Sequence, residues 1–231
     1  MTSSTQLPQG ADKVVAVRSM FDAIAPRYDR VNRLLTLGMD VGWRRSTVRS
    51  LGLAPGSLVL DLAAGTGDLC RELTSSGHHA IGLDMALGML VHARTTAPRV
   101  QADALVLPTA DATADGVTCG FALRNFVDLG RFFAEAARVL RPGGRLALLE
   151  VAQPENPLLR AGHGFYFGRV VPVLGGLLSD RAAYSYLPRS VAYLPAPAEL
   201  LDMLRRAGFG AVDRRLLSAG IVQLITATRS R

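Results

Sequence analysis

Short apolar runs alternate with segments of helical periodicity along most of this 231-residue chain. Four apolar runs predict strands, at 58–62, 80–83, 116–121 and 145–150, and a further short strand is predicted at 99–102. Helices are predicted between them, at 86–95 and 129–140, and a further one at 198–207. Two last strands, 211–217 and 221–228, would pair as a hairpin. This order predicts an α/β fold with a seven-stranded, mostly parallel sheet and an antiparallel terminal hairpin.

Three regions lie outside the alternation. Residues 1–11 are polar, and we predict a disordered lead. Residues 12–51 predict helices that form a lid, and 154–197, rich in proline and apolar residues, predicts a cover over a substrate. Ordinary helical packing on the sheet is the alternative for both. The length suits one domain, 12–231, with a full core.

A ligand site is predicted where the first two strands end. Gly65 and Gly67 form the turn after the first strand and let backbone approach a ligand closely. Asp84 ends the second strand, where a carboxylate can accept both hydroxyls of a ribose. An ordinary strand-to-helix turn with Asp84 as a helix cap is the alternative.

The residues around this turn favour S-adenosylmethionine over a dinucleotide. A dinucleotide loop reads Gly-x-Gly-x-x-Gly, and here Cys70 stands at the third glycine. Asp61 at the strand end disfavours a pyrophosphate but suits the amino group or sulfonium of S-adenosylmethionine. Asp103, after the third strand, would approach the exocyclic amine of the base, or would be a plain loop acid.

An acceptor site is predicted beside the donor. The fourth strand delivers Arg124 and Asn125 to the carboxyl edge of the sheet, where α/β folds bind ligands. An arginine paired with a neighbouring acid is the alternative. Tyr28 and Asn32, four residues apart, would point together into the pocket, unless their helix only covers the sheet edge.

Composition narrows the function classes. The net charge is +7 with Lys13 as the only lysine, but the arginines are scattered, so nucleic acid is disfavoured. An anionic membrane surface or the base composition of the genome would each explain them.

Cys70 and Cys119 form neither a disulfide framework nor a zinc pattern, so we expect no metal and a cytoplasmic protein. The chain has no uninterrupted run of about 18 apolar residues, so we expect no transmembrane helix.

The chain resembles the ubiquinone and menaquinone biosynthesis C-methyltransferases, a family with the class I methyltransferase-like Rossmann fold. Four segments carry the resemblance: Phe21-Asp22-x-Ile24-Ala25-Pro26-x-Tyr28-Asp29-x-x-Asn32, Asp61-Leu62-Ala63-Ala64-Gly65-Thr66-Gly67-Asp68, Leu123-Arg124-Asn125, and Ala183-Tyr184-Ser185-Tyr186-Leu187-Pro188-Arg189-Ser190. The resemblance implies methyl transfer from S-adenosylmethionine to a ring carbon of a prenylated naphthoquinol, converting demethylmenaquinol to menaquinol.

The resemblance also implies roles for residues. It places Thr66, Asp84 and Asp103-Ala104 on the donor, and Tyr28, Arg124 and Asn125 on the quinol. Together with the residues argued above, the predicted donor site comprises Asp61, Gly65, Thr66, Gly67, Asp84, Met85, Asp103, Ala104 and Gly120. Two positions depart from the family: Gly120 stands where serine is frequent, and Arg189 where an acid is common.

The predicted chemistry is attack by a reduced, deprotonated quinol on the donor methyl. Arg124 would stabilise the phenolate, Tyr28 would orient the quinol, and the proton would leave through water. Three other functions remain open: methylation of another small aromatic acceptor on oxygen or carbon, nicotinamide-dependent oxidoreduction, and donor binding without transfer. Contact with the inner face of a membrane and a homodimer also remain open.

Overall fold

The computed structural model describes residues 7–230. Seven strands form one sheet in the order β3-β2-β1-β4-β5-β7-β6. Their bounds are β1 Leu58–Leu62, β2 His79–Asp84, β3 Arg99–Gln101, β4 Ala114–Gly120, β5 Leu140–Val151, β6 Phe209–Leu217 and β7 Val222–Arg229. Strands β1 to β5 run parallel, and β7 is antiparallel to both β5 and β6. The predicted sheet and its terminal hairpin are confirmed.

Ten α-helices occur in the described part of the chain. They are α1 Gly10–Ile24, α2 Tyr28–Leu35, α3 Met39–Ser50, α4 Asp68–Ser75, α5 Leu87–Val91, α6 Leu129–Val139, α7 Pro157–Phe165, α8 Val171–Leu178, α9 Arg181–Ser190 and α10 Pro197–Arg206. A π-helical turn, Tyr166–Val170, joins α7 to α8. The predicted lead at 1–11 falls mainly on residues 1–6, outside the described residues, and α1 already begins at Gly10.

The core lies where α6 and α10 pack on the sheet. Phe132 and Phe133 of α6 are fully buried, as is Leu204 of α10. Burying such a side chain contributes roughly 1.5–3 kcal/mol. Asp128 begins α6, because its carboxylate accepts the Arg131 backbone N–H at 2.8 Å. The core thus fixes β4 and β5, whose carboxyl ends carry the predicted acceptor residues.

The helix predicted at 86–95 is shorter in the structure. It covers only Leu87–Val91, because the following residues turn back onto the loop after β1. The Arg94 backbone N–H donates to the Thr66 carbonyl at 3.0 Å. Asp84 does not cap this helix: Ala86 occupies the N-cap, and the Gly88 N–H donates to Asp22 of α1 at 2.7 Å. Helix α1 is thereby tied to α5.

The region 154–197 is helical and packs against the N-terminal helices. The Tyr166 hydroxyl donates to the Leu35 carbonyl of α2 at 2.7 Å. Within the region, α8 and α9 cross so closely that a Cβ on Gly175 would lie 2.2 Å from the Tyr184 ring. Tyr184 is itself 1% exposed. Glycine at 175 therefore permits the packing of the two helices.

Candidate active site

A first cavity, which we call the donor cavity, lies at the carboxyl edge of β1, β2 and β4. Six of the nine residues predicted to bind the donor line it: Gly65, Asp84, Met85, Asp103, Ala104 and Gly120. Helix α1 closes the cavity with Val14, Val17 and Phe21. Sequence reasoning missed these residues individually, although their three- and four-residue spacing marks one helix face.

The loop between β1 and α4 has the backbone conformation that a close ligand approach requires. Gly65 and Gly67 adopt φ of 57° and 81°, and Ala63 is also left-handed with φ 55°. Asp84 holds the loop, since one carboxylate oxygen accepts the Gly65 N–H and the other accepts the Ala86 N–H, both at 2.8 Å. Burial raises the pKa of Asp84. The two hydrogen bonds fix the carboxylate in place before any ligand binds.

Three predicted donor residues do not line the cavity. Thr66 is buried and its hydroxyl donates to Asp29 of α2. Gly67 packs beneath the loop, where a Cβ would lie 2.5 Å from the Thr95 side chain. Asp61 is 1% exposed and accepts hydrogen bonds from the Thr118 hydroxyl at 2.8 Å and the Cys70 thiol at 3.5 Å. These residues support the loop from behind.

Asp61 was predicted to contact the donor, but it does not line the donor cavity. Its carboxylate is enclosed between β1, β4 and α4, and burial raises its pKa to about 7. Desolvation disfavours the charged form of such an acid. We correct its role from a contact with the donor to an internal support of the loop.

A second cavity, which we call the acceptor cavity, has a volume of about 470 Å³ and mainly apolar walls. Helices α2 and α3 supply one wall, with Tyr28, Asn32 and Trp43. The region 154–197 supplies another, including Tyr166 and Leu187. Tyr28 and Asn32 thus share one cavity wall, and part of the predicted cover does lie over this space.

Arg124 lines the acceptor cavity and is also paired with an acid. Its guanidinium forms a salt bridge with Glu150 at the end of β5, and its Nε donates to the Ser190 hydroxyl at 3.1 Å. Glu150 is fully buried and Arg124 is 5% exposed. The alternative interpretation, an arginine paired with a neighbouring acid, is therefore correct. Arg124 also lines the acceptor cavity, and its role in binding or catalysis stays a prediction.

Asn125 lies on the other side of the same turn. It lines the donor cavity rather than the acceptor cavity, and its side-chain oxygen accepts the Tyr186 hydroxyl of α9 at 3.2 Å. The structure therefore does not bring Asn125 together with Arg124 in one cavity. Asn125 instead connects α9 to the wall of the donor cavity.

The two cavities meet at Tyr28 and Phe121, which are the two residues between 7 and 230 that line both. Phe121 follows β4 with φ 58°, a conformation that is costly for a bulky residue. Its ring packs edge-on against Trp43, whose indole donates to the Ser218 hydroxyl at 2.7 Å. Sequence reasoning missed this role of Phe121; its position directly after a central strand was the available signal.

Tyr28 is a neutral group at this junction. Burial raises the pKa of its hydroxyl, against the smaller lowering effects of a hydrogen bond with Asn32 and the charge of Arg124. Its ring meets Phe21 of α1 edge-on at 6.0 Å. Tyr28 can therefore donate a hydrogen bond at neutral pH but does not act as a base there.

Comparison with known proteins identifies the family. The family model described as "ubiE/COQ5 methyltransferase family" matches residues 9–229. The chain belongs to this family. The predicted resemblance is thereby confirmed, and with it the prediction of a methyltransferase.

Relatives within the family cover almost the whole chain. A demethylmenaquinone methyltransferase of Roseiflexus sp. (strain RS-1) is 41% identical, over 97% of this chain and 98% of its own. One of Deinococcus radiodurans is 44% identical, over 94% and 95%. The ubiquinone/menaquinone biosynthesis C-methyltransferase UbiE of Syntrophotalea carbinolica is 42% identical, over 92% and 94%.

Solved structures agree on the fold. A SAM-dependent methyltransferase from Thermotoga maritima has a TM-score of 0.64 at 19% identity, over 92% of this chain and 99% of its own. Phosphoethanolamine N-methyltransferase 2 of Haemonchus contortus, solved with S-adenosyl-L-methionine, has a TM-score of 0.62 at 13% identity, over 82% and 53%. The chain therefore shares the fold of these structures, and the predicted class I methyltransferase-like fold is confirmed.

Proposed function

We propose that this methyltransferase transfers a methyl group from S-adenosylmethionine to a ring carbon of a reduced, prenylated naphthoquinol, converting demethylmenaquinol to menaquinol. The observation that carries the proposal is the pair of cavities that meet only through Tyr28 and Phe121 among the described residues. One cavity is lined by the carboxylates of Asp84 and Asp103, and the other has mainly apolar walls. The names of the relatives at 41–44% identity support the acceptor.

The donor cavity suits a cationic nucleoside without phosphates. Its polar wall offers the carboxylates of Asp84 and Asp103, which favour hydroxyl and amino groups and repel a pyrophosphate. Cys70, where a dinucleotide loop has glycine, is fully buried behind the loop, with its sulfur 3.0 Å from where a Gly82 Cβ would stand. S-adenosylmethionine, when bound, would supply a methyl group on a positively charged sulfur.

The residues at the junction would orient the acceptor. Tyr28, which remains protonated, would donate to a quinol oxygen, and the Arg124 guanidinium would stabilise the negative charge that develops there. Glu150 and Ser190 hold that guanidinium in place. Reaction requires the ring carbon and the methyl carbon within roughly 3–3.5 Å of each other, a separation that Tyr28 and Phe121 would define.

The proton balance follows from the same groups. The quinol hydroxyl loses a proton to make the ring carbon nucleophilic, and the ring carbon loses its own proton after the new C–C bond forms. Arg124 is not the base, because a guanidinium only donates hydrogen bonds and has no acceptor site for a proton. No histidine occurs among the described side chains that line the acceptor cavity. We therefore propose that water takes the hydroxyl proton and later the ring-carbon proton and returns one proton to the product oxygen, so that one proton is released for each methyl group transferred.

Product analysis tests the proposal. The protein is incubated with methyl-labelled S-adenosylmethionine and demethylmenaquinone, either chemically reduced or left oxidised. We expect the lipid to gain the mass of one labelled methyl only in the reduced sample. Equal transfer to the oxidised lipid, or none to either, contradicts the proposal.

The proposed roles can be separated by kinetics. Arg124→Ala should lower kcat by about 100-fold with donor affinity kept, because the charge on the acceptor oxygen loses its partner. Arg205→Ala, an exposed arginine paired with Asp202 on α10, is the matched control and should change neither quantity. Full activity of Arg124→Ala would exclude this role.

The place of the reaction is part of the proposal. The enzyme would work in the cytoplasm and meet its lipid-dissolved acceptor at the inner face of the membrane. Among the described residues, no helix is both long and apolar enough to cross a bilayer. The homodimer stays a prediction, which light scattering on the purified protein would check.

A further inference from the structure

The mouth of the acceptor cavity is surrounded by exposed apolar side chains. Leu37, Met39, Leu158 and Leu159 line the cavity and are also 78%, 40%, 85% and 48% exposed. We call these four residues the docking face. They come from two separate parts of the chain: Leu37 lies in the turn between α2 and α3 and Met39 at the start of α3, while Leu158 and Leu159 lie in α7. Contiguous exposed apolar residues from separate elements mark an interaction site.

Leu37 is costly to the fold in two ways. It adopts φ 51°, a left-handed conformation that favours glycine or asparagine over leucine. Its side chain is also largely in water, so packing does not offset the strain. Glycine would satisfy this turn better, and Gly38 beside it already has φ 78°. Burial of this side chain against a binding partner would offset the backbone strain.

The charged residues beside the docking face favour an anionic partner. Arg160, directly after Leu159, and Arg169 are both exposed, the exposed acid Glu155 precedes the two leucines, and the whole chain has a net charge of +7. The Arg160 guanidinium donates to the backbone carbonyls of Pro154 and Glu155, at 2.9 and 3.1 Å, so these contacts leave its positive charge in place. Apolar side chains flanked by arginine are the pattern of a protein that rests on an anionic lipid surface.

We propose that the docking face inserts into the surface of an anionic phospholipid bilayer and places the mouth of the acceptor cavity against the lipid. This inference rests on the proposed function, because an acceptor with an isoprenoid tail is dissolved in the membrane. The tail then passes from bilayer to cavity between α7 and the α2–α3 turn without crossing water. The face extends only a few side chains, so binding is reversible and weakens with salt.

Vesicle flotation without donor or acceptor tests the docking face independently of methyl transfer. The wild type should float with vesicles of phosphatidylglycerol and phosphatidylcholine, and much less with phosphatidylcholine alone or in high salt. Leu37→Glu with Leu158→Glu should reduce the bound fraction at least fivefold. Val91→Glu, at an exposed apolar residue of α5 that lines neither cavity, is the control and should bind as the wild type does.

A second variant separates docking from folding. Leu37→Gly relieves the left-handed backbone, so its melting temperature should equal or exceed that of the wild type while vesicle binding falls. A purely structural role for Leu37 would lower both or neither. This variant also keeps the test valid if the double glutamate variant fails to fold.

Three outcomes would overturn the inference. The wild type could fail to float with anionic vesicles, or the double variant could float as well as Val91→Glu. Alternatively, light scattering could find a dimer that the double variant dissociates with no vesicle binding in either, which would make the face a contact between two copies. Transfer to a short-tailed, water-soluble quinol, measured in parallel, reports on the proposed function alone.

Discussion

At the scale of single residues, the acids at the ends of β1 and β2 differ in whether they face the donor cavity. Asp84 orders the loop through Gly65 and still lines the cavity, whereas Asp61, one strand away, is enclosed. Sequence position predicted that both acids lie at the carboxyl edge of the sheet. Which of them faces a ligand depends on side-chain packing, here with Thr118 and Cys70, and the strand pattern does not encode that.

The role of Asp84 leads to a binding prediction. Asp84→Asn should weaken S-adenosylmethionine binding about 10- to 100-fold, since a hydrogen bond to a charged group contributes roughly 1.5–3 kcal/mol. At saturating donor, kcat should be nearly unchanged. Titration calorimetry measures the affinity, with Asp202→Asn, an exposed acid of α10, as control. Unchanged affinity in Asp84→Asn would place the donor elsewhere.

The burial of Asp61 leads to a prediction on pH. Its pKa rises from 3.8 to about 7 on folding, so the native state holds the proton more tightly than the unfolded chain does. The stability contributed by the neutral acid is complete below pH 4 and is lost as the pH rises through 7. Asp61→Asn stays neutral throughout. Its free energy of unfolding relative to the wild type should therefore increase between pH 5 and pH 8.

The size of that change is bounded. Each pKa unit corresponds to about 1.4 kcal/mol, and about two units of the shift are titrated between pH 5 and pH 8, so the gain is no more than about 3 kcal/mol. Urea unfolding of both proteins at pH 5 and pH 8 measures it. A difference between the two proteins that is the same at both pH values would show that Asp61 is ionised in the folded protein.

At the scale of elements, the sequence predicted the bounds of the strand at 58–62 better than those of the helix at 86–95. The strand at 58–62 was placed to the residue, because a buried strand has a continuous apolar run bounded by polar turns. The helix predicted at 86–95 stopped at Val91, because the next residues hydrogen-bond to the donor loop. Such contacts join distant segments, and periodicity within one segment gives no sign of them.

The crossing of α8 and α9 gives a prediction at this scale. Gly175→Ala would place a methyl group 2.2 Å from the Tyr184 ring, so the two helices must separate. We expect a loss of about 1–3 kcal/mol in unfolding free energy. Gly164→Ala in α7, where a Cβ would meet nothing within 4 Å, is the matched control and should be neutral or slightly stabilising. Equal melting temperatures in the two variants would contradict this packing.

At the scale of the whole molecule, the sequence predicted a seven-stranded, mostly parallel sheet with an antiparallel terminal hairpin, and a ligand site at its carboxyl edge. Six of the nine predicted donor residues line one cavity at that edge. The division into two cavities was not predictable, because it depends on Phe121 and Tyr28 meeting from β4 and α2. It also depends on α1, which lines the donor cavity. That contact joins segments far apart in the sequence, so the local pattern of residues does not predict it.

The two-cavity arrangement makes its most specific claim about the atom that receives the methyl group. The protein is incubated with carbon-13-methyl S-adenosylmethionine and reduced demethylmenaquinone, and the extracted lipid is examined by carbon NMR. We expect the label in a methyl group bonded to a ring carbon. Label in a methoxy group would instead indicate methylation of oxygen and contradict the central claim, as would a lipid without label.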